Sequence, residues 1–170
     1  MSLTFLLGGA RSGKSSLAVE LARAADVPVW VIATAEARDD EMRERILLHK
    51  RERPPGWETV EEPVELAHAF AEVPADVTLV LDCLSLWVAN LLERGADDVE
   101  VERRNVVVVD TARARSGLTI VVSNEVGLGV VPDTALGRRY RDLLGRINAT
   151  WAAAADEALF VVAGRALALR

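Results

Sequence analysis

A glycine-rich segment near the start of the chain has the residue types and spacing of a phosphate-binding loop. It fits the pattern G-x-x-x-x-G-K-[ST] and consists of Gly8, Gly9, Ala10, Arg11, Ser12, Gly13, Lys14 and Ser15. Glycines in this pattern let successive backbone N–H groups face one anion, and a helix that begins at the lysine adds the positive end of its dipole. We therefore expect the loop to hold nucleotide phosphates, with Lys14 on the outer phosphates and the Ser15 hydroxyl on a magnesium ion. The alternative is a glycine-rich turn with an exposed lysine.

Lysine is rare in this chain, which draws attention to the two positions that keep it. Only Lys14 and Lys50 are lysines among the 20 basic residues. Because the compact ammonium group and the broad guanidinium group are not interchangeable at close quarters, Lys50 becomes a second candidate contact. Chance is the alternative explanation for Lys50.

An acidic residue directly follows an apolar run that is typical of a buried strand. The run is Val77 to Leu81, and Asp82 comes next. In other enzymes with this type of loop, a carboxylate at the end of a nearby strand holds Mg²⁺ directly or through water. We expect this role for Asp82, the alternative being that it only caps a helix predicted from Leu84.

A charged segment, Asp39 to Arg53, is predicted to form a helix that contains one histidine. It begins with acidic residues and ends with basic ones, which complements the helix dipole. Spacings of three and four residues place Met42, Ile46 and His49 on one face, so His49 points inward or along the wall of a cleft. One interpretation is a hydrogen-bonded, half-buried histidine. The other is a nucleophile, because the cations after His49 disfavour its protonated form and leave a ring nitrogen free to attack phosphorus.

A second glycine-containing loop, Ser123 to Pro132, follows the fourth apolar run. In open α/β folds, ligands bind at the carboxyl edge of the sheet, where such loops lie. Glu125 is therefore a candidate base for an attacking hydroxyl group, or a contact to magnesium or substrate. A plain connecting loop is the alternative.

The elements that would position these residues alternate between apolar runs and helical segments. Strands are predicted at Leu3 to Leu7, Val29 to Ala33, Val77 to Leu81, Leu118 to Val122 and Ala158 to Val162. Helices are predicted at Lys14 to Ala25, Asp39 to Arg53, Val64 to Glu72, Leu84 to Arg94 and Ala135 to Ala155. This alternation favours an α/β fold with a mostly parallel central sheet and helices on both faces. The segment Trp57 to Glu61 is a short strand or an extended loop, and we favour a helix over Val99 to Arg115 despite its valine run.

Length and composition narrow the class of protein. The chain has 170 residues, 51% of them hydrophobic, and a formal net charge of −6. These values favour one domain over residues 1–170 and argue against nucleic acid as a partner, since a nucleic-acid-binding face would be basic. The sequence shows no basic leader and no apolar run of about 20 residues, so we expect a cytoplasmic protein with no membrane span. The single cysteine, Cys83, is expected to lie in the core.

Further motifs occur in order over nearly the whole chain. Besides the glycine-rich loop they are Ile32-Ala33-Thr34-Ala35, Asp40-Glu41-Met42 with Arg45-Ile46 and His49, Trp57 with Thr59 and Glu61, Asp82-Cys83-Leu84-Ser85-Leu86-Trp87 with Asn90-Leu91-Leu92, Ser123-Asn124-Glu125-Val126-Gly127, Arg141-Asp142 with Gly145, and Ala155-Asp156. Together they resemble the bifunctional adenosylcobinamide kinase/adenosylcobinamide-phosphate guanylyltransferase family of cobalamin biosynthesis. Two departures are Ser85, where threonine is usual, and Gly164-Arg165-Ala166 in place of Gly-Leu-Pro, which leaves the last edge strand undecided.

The resemblance implies a RecA-like P-loop NTPase fold and two reactions at one nucleotide site. The family phosphorylates the aminopropanol hydroxyl of adenosylcobinamide with ATP or GTP, then transfers GMP from GTP to the new phosphate and releases pyrophosphate. The histidine that matches His49 carries GMP as a covalent phosphoramidate. Family nucleotide contacts carry over onto Gly8 to Ser15, Ala33, Thr34, Ala35, Lys50, Arg51, Glu52, Arg53, Glu61 and Asp82. Some members assemble as trimers, so the resemblance implies a homo-oligomer.

The candidate catalytic residues are therefore His49, Lys14 and Glu125, and the candidate magnesium contacts are Ser15 and Asp82. A carboxylate at Glu61 can accept hydrogen bonds from both N1 and N2 of guanine, which adenine cannot offer. Two other functions stay open at this point. One is a P-loop small-molecule kinase without the guanylyltransferase step, and the other is a nucleotide-gated regulatory module that uses the loop as a switch.

Overall fold

The computed structural model describes residues 2–169, apart from the side chain of Glu52. The strands are β1 (Ser2–Gly8), β2 (Val29–Ala33), β3 (Glu58–Glu61), β4 (Thr78–Asp82), β5 (Leu118–Asn124), β6 (Glu157–Val162) and β7 (Arg165–Ala168). The helices are α1 (Lys14–Ala24), α2 (Asp40–Glu52), α3 (Leu66–Glu72), α4 (Leu84–Glu93), α5 (Asp98–Ala114) and α6 (Ala135–Ala154). In this part of the chain no helix is both long and apolar enough to cross a membrane.

All seven strands belong to one sheet, and their order explains how distant motifs meet. The order is β3-β2-β4-β5-β1-β6-β7, and every pairing except that of β6 with β7 is parallel. Parallel strands end at the same edge, so the residues that follow β1, β2, β4 and β5 lie along one edge of the sheet. The mostly parallel sheet predicted from the sequence is confirmed.

Alternate residues of β1 pack against different layers, as the pleat of a strand requires. Phe5 and Leu7 belong to the larger core cluster, which also contains buried residues of α3 to α6. Leu6 belongs to the smaller cluster, together with Ala18 and Ala22 of α1. The sheet is therefore covered on both faces, as the nearly continuous apolar strands indicate.

Two undecided segments have a definite structure. The segment after the Pro54-Pro55-Gly56 turn forms the short edge strand β3. The valine-rich segment is the helix α5, whose first turn is capped by Asp97 accepting a hydrogen bond from the Glu100 backbone N–H at 2.8 Å. Val101 and Val108 lie inside the core while Val106 and Val107 face outward, so helical spacing and burial outweigh the strand preference of valine.

The C-terminal segment forms an antiparallel hairpin, in which β7 pairs with β6. Ala163 and Gly164 at its turn both have positive φ angles, of 51° and 73°. All four residues of β7 are exposed, although three of them, Ala166, Leu167 and Ala168, are apolar.

Candidate active site at the carboxyl edge of the sheet

The glycine-rich loop has the strand–loop–helix arrangement that its pattern predicts. It leaves β1 at Gly8 and enters α1 at Lys14, with Gly13 as the residue before the helix at φ 104°. The Lys14 side chain is only 7% exposed. Its Nζ donates to the backbone oxygens of Gly8 at 2.8 Å and Gly9 at 2.6 Å, and lies 3.4 Å from Ser12 Oγ. Lys14 is therefore buried inside the loop, which excludes the alternative of an exposed lysine on a turn.

The β6–β7 turn supports this loop from the side. The backbone N–H of Gly164 donates to the Ser12 carbonyl oxygen at 2.9 Å. A Cβ at Gly13 would lie 3.3 Å from the Gly164 Cα, so the two backbones pass close to each other. No local sequence pattern indicates this contact, because it joins the loop to a hairpin about 150 residues away in the chain.

We expect Gly8→Ala to destabilise the protein, because the backbone of β6 leaves no room for a methyl group. A Cβ at Gly8 would lie 2.2 Å from the Val161 carbonyl oxygen. Overpacking of this kind lowers the free energy of unfolding by about 1–3 kcal/mol or more. The matched control is Gly9→Ala, whose Cβ would meet nothing within 4 Å. Urea or thermal unfolding should show a lower free energy of unfolding for Gly8→Ala and little change for Gly9→Ala. An equal decrease in both variants would contradict the steric explanation.

Asp82 ends β4, and β5 separates it from the strand that carries the loop. The residue before α4 is Cys83, so Asp82 does not cap this helix. Burial lowers the pKa of Lys14, and the neighbouring Cys83 and Asp82 side chains oppose that effect. Burial, with Asp82 nearby, raises the pKa of the Cys83 thiol to about 11, so this group stays protonated near neutral pH. Cys83 is buried, as expected.

A cleft of about 220 Å³ lies between α1, β4 and the end of α2. It is lined by Ser15, Ser16, Ala18, Val19, Val31, His49, Arg53, Trp57, Val80 and Asp82. Small-molecule sites usually measure roughly 300–1,000 Å³, so a nucleoside triphosphate would fill the cleft and extend over the neighbouring phosphate loop. The cleft brings candidate nucleotide, metal and nucleophile residues from three separate segments together.

The residues present fit a magnesium ion that is bound together with a nucleotide. Ser15 and Asp82 line the same cleft and would supply a hydroxyl and a carboxylate oxygen. Among residues 2–169 there is no cluster of three or more acidic, histidine or cysteine side chains that would hold a metal ion alone. Mg²⁺ is commonly bound by one or two protein oxygens plus substrate phosphates, which matches this donor set. When bound, the ion neutralises phosphate charge.

Helix α2 presents His49 to this cleft from the periphery of the molecule. Asp39 caps its first turn by accepting a hydrogen bond from the Met42 N–H at 2.7 Å. Among the described side chains of α2, only Met42 and Ile46 are even partly buried. His49 is exposed and lines the cleft, which matches a position along a cleft wall and does not match a half-buried structural histidine.

The basic end of α2 divides into residues with different surroundings. Lys50 forms an ion pair with Glu61 of β3, and Arg51 is exposed. The side chain of Glu52 lies outside the described part of the structure. Arg53 lines the cleft and donates to Thr59 Oγ1 at 3.2 Å. Burial lowers the pKa of Arg53, while the charges of Asp82 and Glu61 oppose that effect, so Arg53 lies within the electrostatic reach of both acids.

The residues after β2 and β5 also lie at this edge. Thr34 is fully buried, and its hydroxyl accepts from the Cys83 N–H at 2.9 Å and donates to the Cys83 carbonyl at 2.8 Å. Ala33 and Ala35 flank it and are partly exposed. The Glu125 N–H donates to Gly8 O at 2.9 Å, which places this residue beside the loop. The Glu125 carboxylate accepts from the Gly127 N–H and is not among the cleft-lining residues.

An ion-pair cluster fixes the segment that leads from β2 to α2. Glu36 accepts from Arg94 at 2.7 Å and from Arg38 at 2.5 Å, and these bonds lower the pKa of Glu36 to about 2. A carboxylate whose pKa is depressed on folding stabilises the protein above its ordinary pKa and loses that contribution as the pH falls through the depressed value.

We therefore expect the stability difference between the wild type and Glu36→Gln to shrink as the pH falls from about 4.5 towards about 2. Urea unfolding at a series of pH values measures this difference. Arg94→Gln removes the partner with the largest effect and should weaken the same pH dependence. A difference that stays constant over this range would contradict the ion-pair explanation.

Trp57 is a site residue that the sequence-based assignment left without a role. It lines the cleft beside His49 and Arg53, and it also packs against the smaller core cluster. The available signal was its place directly after the Pro54-Pro55-Gly56 turn, because binding residues often lie on loops.

Comparison with known proteins assigns the family. The model of the family described as cobinamide kinase/cobinamide phosphate guanyltransferase matches residues 4–169. The bifunctional adenosylcobalamin biosynthesis protein CobP of Pseudomonas aeruginosa is 42% identical over 167 residues, which cover 97% of this chain and 95% of that protein. The protein CobU of Salmonella typhimurium, which has the same description, is 37% identical over 181 residues, which cover 95% of this chain and 96% of that one.

Solved structures agree on the fold. The RadB recombinase matches with a TM-score of 0.53 at 16% identity, covering 94% of this chain and 73% of its own. A type III secretion ATPase matches with a TM-score of 0.51 at 13% identity, covering 94% of this chain and 50% of its own. These likenesses confirm the P-loop NTPase fold, and the family match confirms the resemblance drawn from the motifs. The chain belongs to the cobinamide kinase/cobinamide phosphate guanyltransferase family.

Proposed function

We propose that this chain carries out both reactions of its family in the cleft between the phosphate loop and α2, with His49 as the carrier of GMP. The observation that carries this proposal is that His49 lines the same cleft as Ser15 and Asp82. A kinase that lacked the second reaction would need no histidine at this position. The substrates are adenosylcobinamide, its phosphate, ATP and GTP, with Mg²⁺ as the cofactor.

In the kinase step, positioning and charge neutralisation supply most of the catalysis. Lys14 and the loop N–H groups hold the β- and γ-phosphates. The aminopropanol hydroxyl of adenosylcobinamide attacks the γ-phosphorus, its proton passes to Glu125, and the nucleoside diphosphate leaves. The backbone bond from Glu125 to Gly8, which keeps this residue beside the loop, supports this role. Its carboxylate must first release the Gly127 N–H.

In the guanylyl step, a ring nitrogen of His49 attacks the α-phosphorus of GTP in line with the bond to the bridging oxygen. That bond breaks, and pyrophosphate leaves with the electron pair while Lys14 stabilises its charge. An oxygen of adenosylcobinamide phosphate then attacks the phosphorus bound to His49, which restores the free imidazole and forms adenosylcobinamide-GDP. The covalent intermediate lets one site serve a bulky acceptor without binding both substrates at once.

Guanine selection is assigned to the wall formed by Glu61 and the segment Ala33 to Ala35. Glu61 already pairs with Lys50, so its carboxylate faces a hydrogen-bond donor before any base is bound. The N1 and N2 hydrogens of guanine would replace this donor, whereas adenine presents an acceptor at N1. Adenine would set an acceptor against this carboxylate, so the site favours guanine.

The decisive experiment uses GTP labelled at the α-phosphate with the purified protein and Mg²⁺. We expect label to stay on the denatured protein, to survive alkali and to be lost in acid, as a phosphoramidate requires. Adding adenosylcobinamide phosphate should move the label to the corrinoid. Phosphorylation of adenosylcobinamide without any labelled protein would overturn the guanylyl step and leave a small-molecule kinase. Turnover of adenosylcobinamide under saturating GTP and Mg²⁺ would exclude a purely regulatory module.

The proposed function also bears on the partners, the cellular location and the oligomeric state of the protein. We propose small-molecule substrates and no nucleic-acid partner, because the net charge of −6 would repel a polyanion. Both reactions consume nucleoside triphosphates, which the cytoplasm supplies. We also propose a homo-oligomer, with three subunits as in some members of the family, and light scattering measures the mass that tests this.

A further inference from the structure

The side chain of Asn90 on α4 is a buried amide that the two reactions leave without a role. Asn90 is 3% exposed and lies in an apolar helix among Trp87, Leu91 and other core residues. A buried amide lowers the free energy of unfolding unless it makes hydrogen bonds. The hydrogen-bond partners of Asn90 therefore indicate which parts of the chain it holds in place.

Its Nδ2 group holds two loops together. It donates to the Thr34 carbonyl oxygen at 2.8 Å and to the Pro63 carbonyl oxygen at 3.1 Å. These residues follow the paired strands β2 and β3, in which Ala33 lies opposite Glu61. Within residues 2–169, the bond from Glu62 N–H to Ala33 O, at 3.0 Å, is the last backbone hydrogen bond between the two segments before they separate towards α2 and α3. Asn90 bridges them where strand pairing ends.

The other end of the amide is fixed as well. Asn90 Oδ1 accepts from Arg38 Nη2 at 2.8 Å, and Arg38 also pairs with Glu36. Two carbonyl acceptors on one side and a guanidinium donor on the other define which end is oxygen and which is nitrogen. The amide therefore ties α4 to the start of the connector into α2 and to the end of β3.

We propose that Asn90 is a positioning residue for guanine recognition. By holding the carbonyls of Thr34 and Pro63, it sets the spacing between the segment Ala33 to Ala35 and the carboxylate of Glu61. This inference rests on the proposed function, which assigns Glu61 and the segment Ala33 to Ala35 to the binding of the guanine base. Asn90 touches neither the base nor the phosphates, and its effect is confined to selectivity for the base.

Binding to the full chain tests this without any turnover. Non-hydrolysable analogues of GTP and ATP, and inorganic tripolyphosphate, are titrated calorimetrically into the wild type, Asn90→Ala and Asn90→Ser. We expect Asn90→Ala to weaken binding of the GTP analogue by about 10–100-fold, the cost of one misplaced hydrogen bond to a charged group. Binding of tripolyphosphate should be unchanged, because it uses the phosphate loop alone. Asn90→Ser keeps one donor, should fall between the two, and is the second variant if Asn90→Ala does not fold.

Asn105→Ala is the matched control for loss of a buried amide. Asn105 is 1% exposed and accepts from Trp151 Nε1 at 2.7 Å, in a different part of the core. The Asn105→Ala variant should unfold at a lower temperature than the wild type and should keep the preference for the GTP analogue. If the Asn90 variants keep the wild-type preference, or lose tripolyphosphate binding equally, the positioning role is overturned and the proposed function stands. A wild type without any preference for the GTP analogue would contradict guanine recognition at this wall as well.

Discussion

His49→Ala should abolish labelling of the protein by GTP and slow guanylyl transfer by at least about 10⁴-fold, because the imidazole that we propose as the carrier of GMP is removed. Phosphorylation of adenosylcobinamide should persist, since that step uses the phosphate loop and needs no imidazole. Single-turnover assays with GTP labelled at the α-phosphate measure the first effect, and transfer from GTP labelled at the γ-phosphate measures the second.

The chain offers a matched control for this experiment in its one other histidine. His68 lies on α3, 3.2 Å from Glu72, with 71% of its side chain exposed. His68→Ala should keep the label and both activities. Label that survives in His49→Ala and disappears in His68→Ala would reject the assignment, and loss of both reactions in His49→Ala would mean that His49 supports the whole site instead of one step.

Lys14→Met should slow both reactions by about 10²–10³-fold in kcat/KM, because both place charge on the phosphates that we propose Lys14 holds. Lys14→Arg should lower kcat/KM of both reactions almost as much as Lys14→Met. The Lys14 ammonium fits between backbone oxygens at 2.8 and 2.6 Å with 7% of the residue exposed, and a planar guanidinium group is too broad for that space.

Unfolding measurements on both Lys14 variants separate lost chemistry from lost structure. We expect Lys14→Met to keep a cooperative unfolding transition, since the loop stays anchored through the bond between Ser12 and Gly164. Wild-type rates in Lys14→Arg would contradict the requirement for a compact charge. A selective loss of only one reaction would contradict a shared phosphate site.

The parts of the molecule that the sequence predicts well are those whose signal is local. The glycine pattern defines the loop because glycine spacing and the following helix start are set within eight residues. The buried parallel strands are predictable because apolar side chains line both of their faces. The strand β7 is not, because it has only four residues and its pairing depends on a turn at Ala163 and Gly164.

The sequence predicts the candidate site as a set of residues, and it does not predict how those residues are arranged. Spacing on α2 places His49 on the face of Met42 and Ile46, but it does not say that the helix packs so lightly that this face borders a cleft. Glu125 lies beside the loop as expected, while its carboxylate turns back to Gly127, and its role as a base stays a prediction. Asn90 appeared only as part of a motif, because its partners are carbonyl groups 56 and 27 residues away in the chain.

The chain has only two lysines, and they differ in burial, so acylation of lysine can measure how often the loop around Lys14 opens. An amine-reactive reagent meets a 43% exposed side chain at Lys50 and an enclosed one at Lys14. Acylation of Lys14 therefore requires the turn around it to open, and the ratio of modified peptides in a mass spectrum measures how often it does so. The other 18 of the 20 basic residues are arginines, which an amine-reactive reagent does not modify.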